Sequence, residues 1–147
     1  MLGHARPYPE KDPMKISRDL VDELISHARE ELPNECCGIV GGRNGKATTV
    51  YRARNEFESP LRFGVDSDDL YRIVLKEMPS RDEELLAIYH SHTKSKAYPS
   101  QTDLNMAQAS WPDAVWVIVS LEDHSNPDVK GYWLKDLTIA EAELAVE

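Results

Sequence analysis

Residues 85–103 read LLAIYHSHTKSKAYPSQTD, and their reading decides the fold. Leu85 to Tyr89 is apolar nearly throughout, as in a strand covered on both faces. His90 and His92 continue it. Alternate strand residues point to one side, so the two imidazoles converge while Ser91 faces away. Seven loop residues, Thr93 to Pro99, follow. A short helix is expected from Ser100 to Ala109, with Asp103 in its first turn, where the loop folds the acid back onto the histidine pair.

Upstream, Ile16, Leu20, Val21, Leu24, Ile25, Ala28 and Leu32 recur at helical spacing, the stripe of an amphipathic helix packed on one side. Ser17 is its cap, Asp19 suits the first turn, and Pro33 closes it. Cys36 to Val40 reads as a short buried strand, Arg43-Asn44-Gly45-Lys46 as a hairpin turn, and Thr48 to Ala53 as the return strand. Residues 55–62 read as loop, with a short strand at Arg62 to Val65. Asp66 or Ser67 caps a second helix, on which Leu70, Val74 and Met78 fall four apart until Pro79-Ser80 ends it. Downstream, Ala114 to Leu121 is a buried strand and Val129 to Leu134 alternates more loosely. The tail from Leu137 to Val146 is ambiguous between strand and helix, with strand favoured. Helix, hairpin, helix, strand, helix and strands in that order predict one mixed α/β (α+β) domain over residues 14–147, a central sheet flanked by helices.

The chain of 147 residues is large enough for one core without disulfides. No apolar run approaches the ~20 residues of a membrane-spanning helix. The first 13 residues, MLGHARPYPEKDP, lack the apolar core of a secretory signal and read as a loose arm. A net charge of −9 with no basic cluster excludes a nucleic-acid partner. The two cysteines, Cys36 and Cys37, are adjacent, which suits reduced thiols in a cytoplasmic protein rather than a disulfide framework.

His90, His92 and Asp103 supply three ligands of the kind a catalytic zinc site uses, leaving a fourth position for water. A hydrolase of this type also needs a base. Glu35, placed where the first helix gives way to a central strand, is the candidate for general acid–base work. Ser100 can donate a hydrogen bond to an oxyanion. Plainer readings stand beside these. Ser100-Gln101-Thr102-Asp103 is close to a capping box; a lone His-x-His is commonly surface; Glu35 alone is an ordinary charge at a helix exit. The combination is what singles them out. His4, His27 and His124 fall in the arm, the first helix and a polar turn, away from the set.

His90-Ser91-His92, seven residues, Ser100, two residues and Asp103, with Glu35 far upstream, resembles the motif of the JAMM (MPN+) zinc metallopeptidases. The likeness runs from about Lys15 to the C-terminal strand. It implies that His90, His92 and Asp103 bind one zinc, that Glu35 is the general acid/base and that Ser100 assists the oxyanion. It also implies a mixed sheet with flanking helices similar to the cytidine deaminase fold. Thr93 stands directly after the second histidine, where many relatives carry proline. With Glu35-Cys36-Cys37-Gly38 upstream, the loop resembles the bacterial CysO-cysteine peptidase (Mec) type. That branch implies a ubiquitin-fold sulfur carrier with a C-terminal Gly-Gly as partner, and hydrolysis of its Gly–Cys amide to release cysteine. A peptidase trimming or deconjugating another ubiquitin-like protein is the rival, and a metal-free scaffold a more distant one. Lys94, Lys96, Arg52, Arg54 and Arg62 are candidates to meet the carboxylate of the leaving cysteine. The oligomeric state stays open, a homodimer included.

Overall fold

The computed structural model describes residues 12–110 and 113–147; the expected arm, 1–13, lies almost wholly outside them. A short strand β1 (Met14–Ile16) leads into helix α1 (Arg18–Glu30), and the hairpin β2 (Cys37–Arg43) and β3 (Lys46–Ala53) follows. Helix α2 (Ser67–Arg72) runs through a π-helical turn, Ile73–Glu77, into α3 (Met78–Ser80). Strand β4 (Glu84–His92), helix α4 (Gln101–Ser110), and strands β5 (Val115–Ser120), β6 (Asp128–Lys135), β7 (Thr138–Ala142) and β8 (Leu144–Val146) complete the order.

The local signals act as their chemistry requires. Ser17 Oγ accepts the Leu20 N–H at 3.2 Å and caps α1. Asp66 Oδ2 does the same for the Asp69 N–H at the start of α2. Asn44 and Gly45 both hold positive φ, 53° and 77°, the backbone that a tight hairpin turn requires.

Among the described residues all eight strands form one sheet in the order β7-β6-β5-β4-β2-β3-β1-β8. The β4–β5 pair is parallel, as are β1 with β3 and β1 with β8, while β2–β3, β2–β4, β5–β6 and β6–β7 are antiparallel. Only Glu143 separates β7 from β8, yet the two strands lie at opposite ends of the order. The sheet therefore curls until its edges meet.

Alternation along the central strands sorts the side chains into two cores. On one face Val21, Leu24 and Ala28 of α1 pack with Cys36, Val40, Ala87, Tyr89, Val117 and Val119. On the other, Ile73 of the π turn, Met78 of α3 and Ala107 of α4 pack with Cys37, Ile39, Ile88, Trp116 and Ile118. His90 and His92 share the parity of Ile88, so they project on this second face.

Four features differ from the sequence reading. β1 was not expected, because three residues beside a proline-rich stretch carry too little periodicity. The expected strand at Arg62 to Val65 is reduced to a single bridge, Asn55 with Val65. The second helix contains a π turn, a frame shift invisible to four-residue spacing. The tail is indeed extended, but as two strands serving opposite ends of the sheet rather than one. Among the described residues no helix is long and apolar enough to cross a membrane.

Candidate metal centre

β4 ends centrally in the sheet, between β2 and β5. His90 is fully buried and His92 and Asp103 are nearly so. Their ligating atoms have converged. His90 Nε2 and His92 Nε2 lie 3.1 Å apart. Asp103 Oδ1 is 3.1 Å from His90 Nε2, and Oδ2 is 3.1 Å from His92 Nε2. Among the described residues these three are the set that could hold a metal ion.

The polarity of this cluster calls for a proton or a metal ion at its centre. His92 Nδ1 is 3.0 Å from the Lys96 carbonyl, which can only accept, so Nδ1 carries the hydrogen. Its neutral Nε2 then presents a lone pair toward Asp103 and His90. Acceptor facing acceptor at 3.1 Å is stable only with a proton or a metal ion between. Two imidazole nitrogens and a carboxylate are the donors that zinc takes in tetrahedral sites with an open position. The three residues fit a zinc site. Burial works to raise the Asp103 carboxyl, but the charge of His90, hydrogen bonds from both imidazoles and the Ser100 N–H hold it well below the ordinary carboxylate range. Burial likewise works against His92 as a cation, and Asp103 together with the Lys96 carbonyl overcomes it, so its pKa is raised. Each shift expresses a pocket shaped for positive charge.

The surroundings fix the ligands. Phe63 stacks on His90 with centroids 4.3 Å apart and planes 16° from parallel, and Trp116 meets the same ring edge-on at 5.7 Å. Ser91, on the opposite side of β4, accepts the buried Cys36 N–H through its Oγ at 2.8 Å. The Ser91 N–H donates to the Cys36 carbonyl at 3.1 Å. This clamp ties the start of β2, and hence Glu35, to the ligand strand.

Glu35 is 5% exposed, and its carboxyl interacts electrostatically with His92 and Asp103, so it belongs to the site face. Its Oε1 is buried without a hydrogen-bond partner. Burial chiefly pushes its carboxyl up to about 8; His92 lowers it and Asp103 raises it further, so the group senses the metal ligands. Ser100 caps α4 reciprocally with Asp103: the Asp103 N–H donates to Ser100 Oγ at 3.1 Å, and the Ser100 N–H to Asp103 Oδ2 at 2.9 Å. The cap is thus the device that aims the third ligand, and the Ser100 hydroxyl hydrogen is left to donate elsewhere.

The remaining candidates separate. Arg52 lies on the α1 side, held by Glu23 at 2.6 Å and Glu30 at 2.9 Å, which removes it from the site face. Arg54 is paired with Asp66 at 2.8 Å. Arg62 stacks on Phe57 at 3.9 Å, next to the residue that covers His90. Lys94 and Lys96 sit exposed on the loop whose backbone holds His92. Cys36 and Cys37 are free and buried on opposite faces of β2. Burial pushes the Cys36 thiol up to about 12 and the Cys37 thiol higher still, so neither is a ready nucleophile. His27 pairs with Tyr89 Oη at 2.7 Å in the other core, His124 lies in a surface turn, and His4 is outside the described residues. Sequence reasoning missed Phe63, Trp116, Ser91 and Asn55. Only Ser91 carried a signal, since a polar residue facing away from the site into a core needs a partner.

Fold and donor set together define a zinc metallohydrolase. The chain belongs to the family Prok-JAB, prokaryotic homologs of the JAB domain, whose model matches residues 17–135. It is 35% identical over 133 residues to the CysO-cysteine peptidase of Mycobacterium tuberculosis, covering 89% of each chain. It is 31% identical over 114 residues to the desampylase of Haloferax volcanii, covering 73% of this chain and 80% of that one. Among solved structures, protein DSY2949 from Desulfitobacterium hafniense superposes with a TM-score of 0.82 at 29% identity, covering 90% of this chain and 92% of that one.

Proposed function

We propose that this protein hydrolyses the amide between the C-terminal glycine of a ubiquitin-fold sulfur carrier and a cysteine, releasing cysteine and the free carrier. The observation that carries the reading is the likeness to the mycobacterial CysO-cysteine peptidase, 35% identical across 89% of both chains. A cytoplasmic setting goes with it.

In this reading His90, His92 and Asp103 hold zinc, which supplies Lewis-acid activation of water and of the attacked carbonyl. Glu35 accepts a proton from the attacking water. Its raised pKa comes chiefly from burial, and a cation held by the neighbouring ligands would draw it down toward its basic form. As the carbon–nitrogen bond breaks, Glu35 returns the proton to the amine nitrogen of the departing cysteine, leaving a carboxylate on the carrier's glycine. Ser100 donates its hydroxyl hydrogen to the carbonyl oxygen as negative charge develops there. Arg62, Lys94 and Lys96 are the cations best placed along the chain to meet the carboxylate of the leaving amino acid. A flexible Gly-Gly tail suits a narrow groove read through its backbone.

The rival reading, cleavage of a protein conjugated to a ubiquitin-like modifier, draws on the likeness to the desampylase. One experiment separates the two. Zinc-replete protein is incubated with a ubiquitin-fold carrier ending Gly-Gly-Cys, and in parallel with the same carrier joined through Gly-Gly to a lysine side chain. Mass spectrometry is expected to show loss of one cysteine residue from the first substrate, and no change with Glu35→Gln. An intact cysteine adduct beside a cleaved lysine conjugate would overturn the proposal in favour of its rival.

A further inference from the structure

Asn55 is a buried polar residue, 4% exposed, on no named helix or strand. Its carboxamide makes four hydrogen bonds. Nδ2 donates to the Glu35 carbonyl at 3.1 Å and to the Arg62 carbonyl at 3.0 Å. Oδ1 accepts from the Phe57 and Gly64 N–H groups, each at 3.1 Å. Two partners can only accept and two can only donate, so one orientation of the amide satisfies all four. A separate bond completes the pattern: the Glu35 N–H donates to the Ser59 carbonyl at 2.9 Å. Both backbone polar groups of Glu35 are therefore held by the segment 55–64. That segment also presents Phe63 to His90, and its Pro60 carbonyl accepts from Thr93 Oγ1 at 3.4 Å.

Glu35 lies two residues before β2, outside the ladder that fixes its neighbours, and its side-chain Oε1 has no partner. What locates its carboxylate is therefore its backbone. We propose that Asn55 is the positioning residue for Glu35, fixing its peptide group and closing the 55–64 segment into the turn that supplies the second anchor. Asn55 itself touches neither substrate nor metal. The inference rests on the acid–base role of Glu35 given above. Aspartate at this position would keep both accepted bonds, lose both donated ones and set a negative charge against the carbonyls of Glu35 and Arg62. Alanine would lose all four.

The test is a cycle of Asn55→Asp with Glu35→Gln on zinc-loaded full-length protein, with zinc stoichiometry and steady-state kcat and KM as readouts, and single-turnover rates at excess enzyme for the slow variants. Asn55→Asp is expected to keep one zinc per chain and to lower kcat by about 10- to 100-fold, the scale of a misplaced catalytic group, with KM changed far less. In the Glu35→Gln background the same change is expected to lower the residual rate no further, because there is no base left to position. Wild-type kcat in Asn55→Asp, or an equal drop in both backgrounds, would overturn the proposal. Full turnover in Glu35→Gln alone would instead remove the acid–base reading beneath it. Amide exchange in the wild-type protein guards against a variant that does not fold. The Glu35, Phe57 and Gly64 N–H groups are expected to open as one unit with similar protection. A freely exchanging Glu35 amide beside two protected ones would contradict the positioning role.

Discussion

Glu35 is a carboxyl with an ordinary pKa of 4.5 that burial lifts to about 8 in the folded, metal-free chain. The unfolded state thus gives up this proton at lower pH than the folded state. The stabilisation is complete below pH 4.5 and is lost as pH rises through 8. At pH 7 the cost reaches about 3 kcal/mol. Glu35→Gln is accordingly expected to melt higher than the parent at pH 7–8 once zinc is chelated, with the gap closing toward pH 4.5; equal melting at all pH would show that the carboxyl is not buried as described. Ser100→Ala tests both the observed cap and the oxyanion role proposed for this residue. Loss of an oxyanion donor is expected to slow hydrolysis by about 10²–10³. Loss of the cap to the Asp103 N–H is expected to cost about 1 kcal/mol in denaturant unfolding. Loss of zinc as well would make the serine purely structural. At this scale the converging trio His90, His92 and Asp103 was legible because metal chemistry restricts residue type and a strand's parity restricts spacing. Asn55 and Phe63 were not legible. Their contacts are a carboxamide to backbone and a ring to a ring, and an asparagine or phenylalanine in a loop has no periodicity to betray either.

The centre depends on β2 and β4 lying close enough for Glu35 to face the ligand strand. Gly38 marks that closeness. A Cβ there would sit 2.4 Å from both the Tyr51 carbonyl oxygen and the Tyr89 ring. Tyr89 precedes His90 and is itself hydrogen-bonded to His27 in the opposite core. Gly38→Ala must therefore push a fully packed ring or the neighbouring strand. It is expected to cost about 1–3 kcal/mol in urea unfolding and to weaken zinc binding with it. Unchanged stability would mean that the strand can give without disturbing the site. The strands and helices that carry the site were readable from sequence because each is long or strongly patterned. β1 and the Asn55–Val65 bridge were not, because their pairing is dictated by distant partners rather than by local pattern. The π turn was missed for another reason, since the apolar spacing of Leu70, Val74 and Met78 is compatible with both helical frames.

At the scale of the whole molecule, the sheet order explains where the candidate metal centre lies. The chain's last strands part to opposite edges of the sheet with only Glu143 between them, which draws those edges together. α1 fills one face and α2 to α4 the other, so β4 is covered on both sides until it ends at His92. The layered mixed α/β architecture was readable in the order of elements; the closure was not, because a single extended tail and two strands split by Glu143 have the same local sequence signature.

That His90, His92 and Asp103 form a zinc site is the claim on which the function stands, and metal analysis of the purified protein tests it most directly. The wild type and Glu35→Gln are expected to carry one zinc per chain, and His92→Ala to carry none. A wild type that takes up no stoichiometric zinc when supplied with it, or a His92→Ala variant whose zinc content is unchanged, would contradict it.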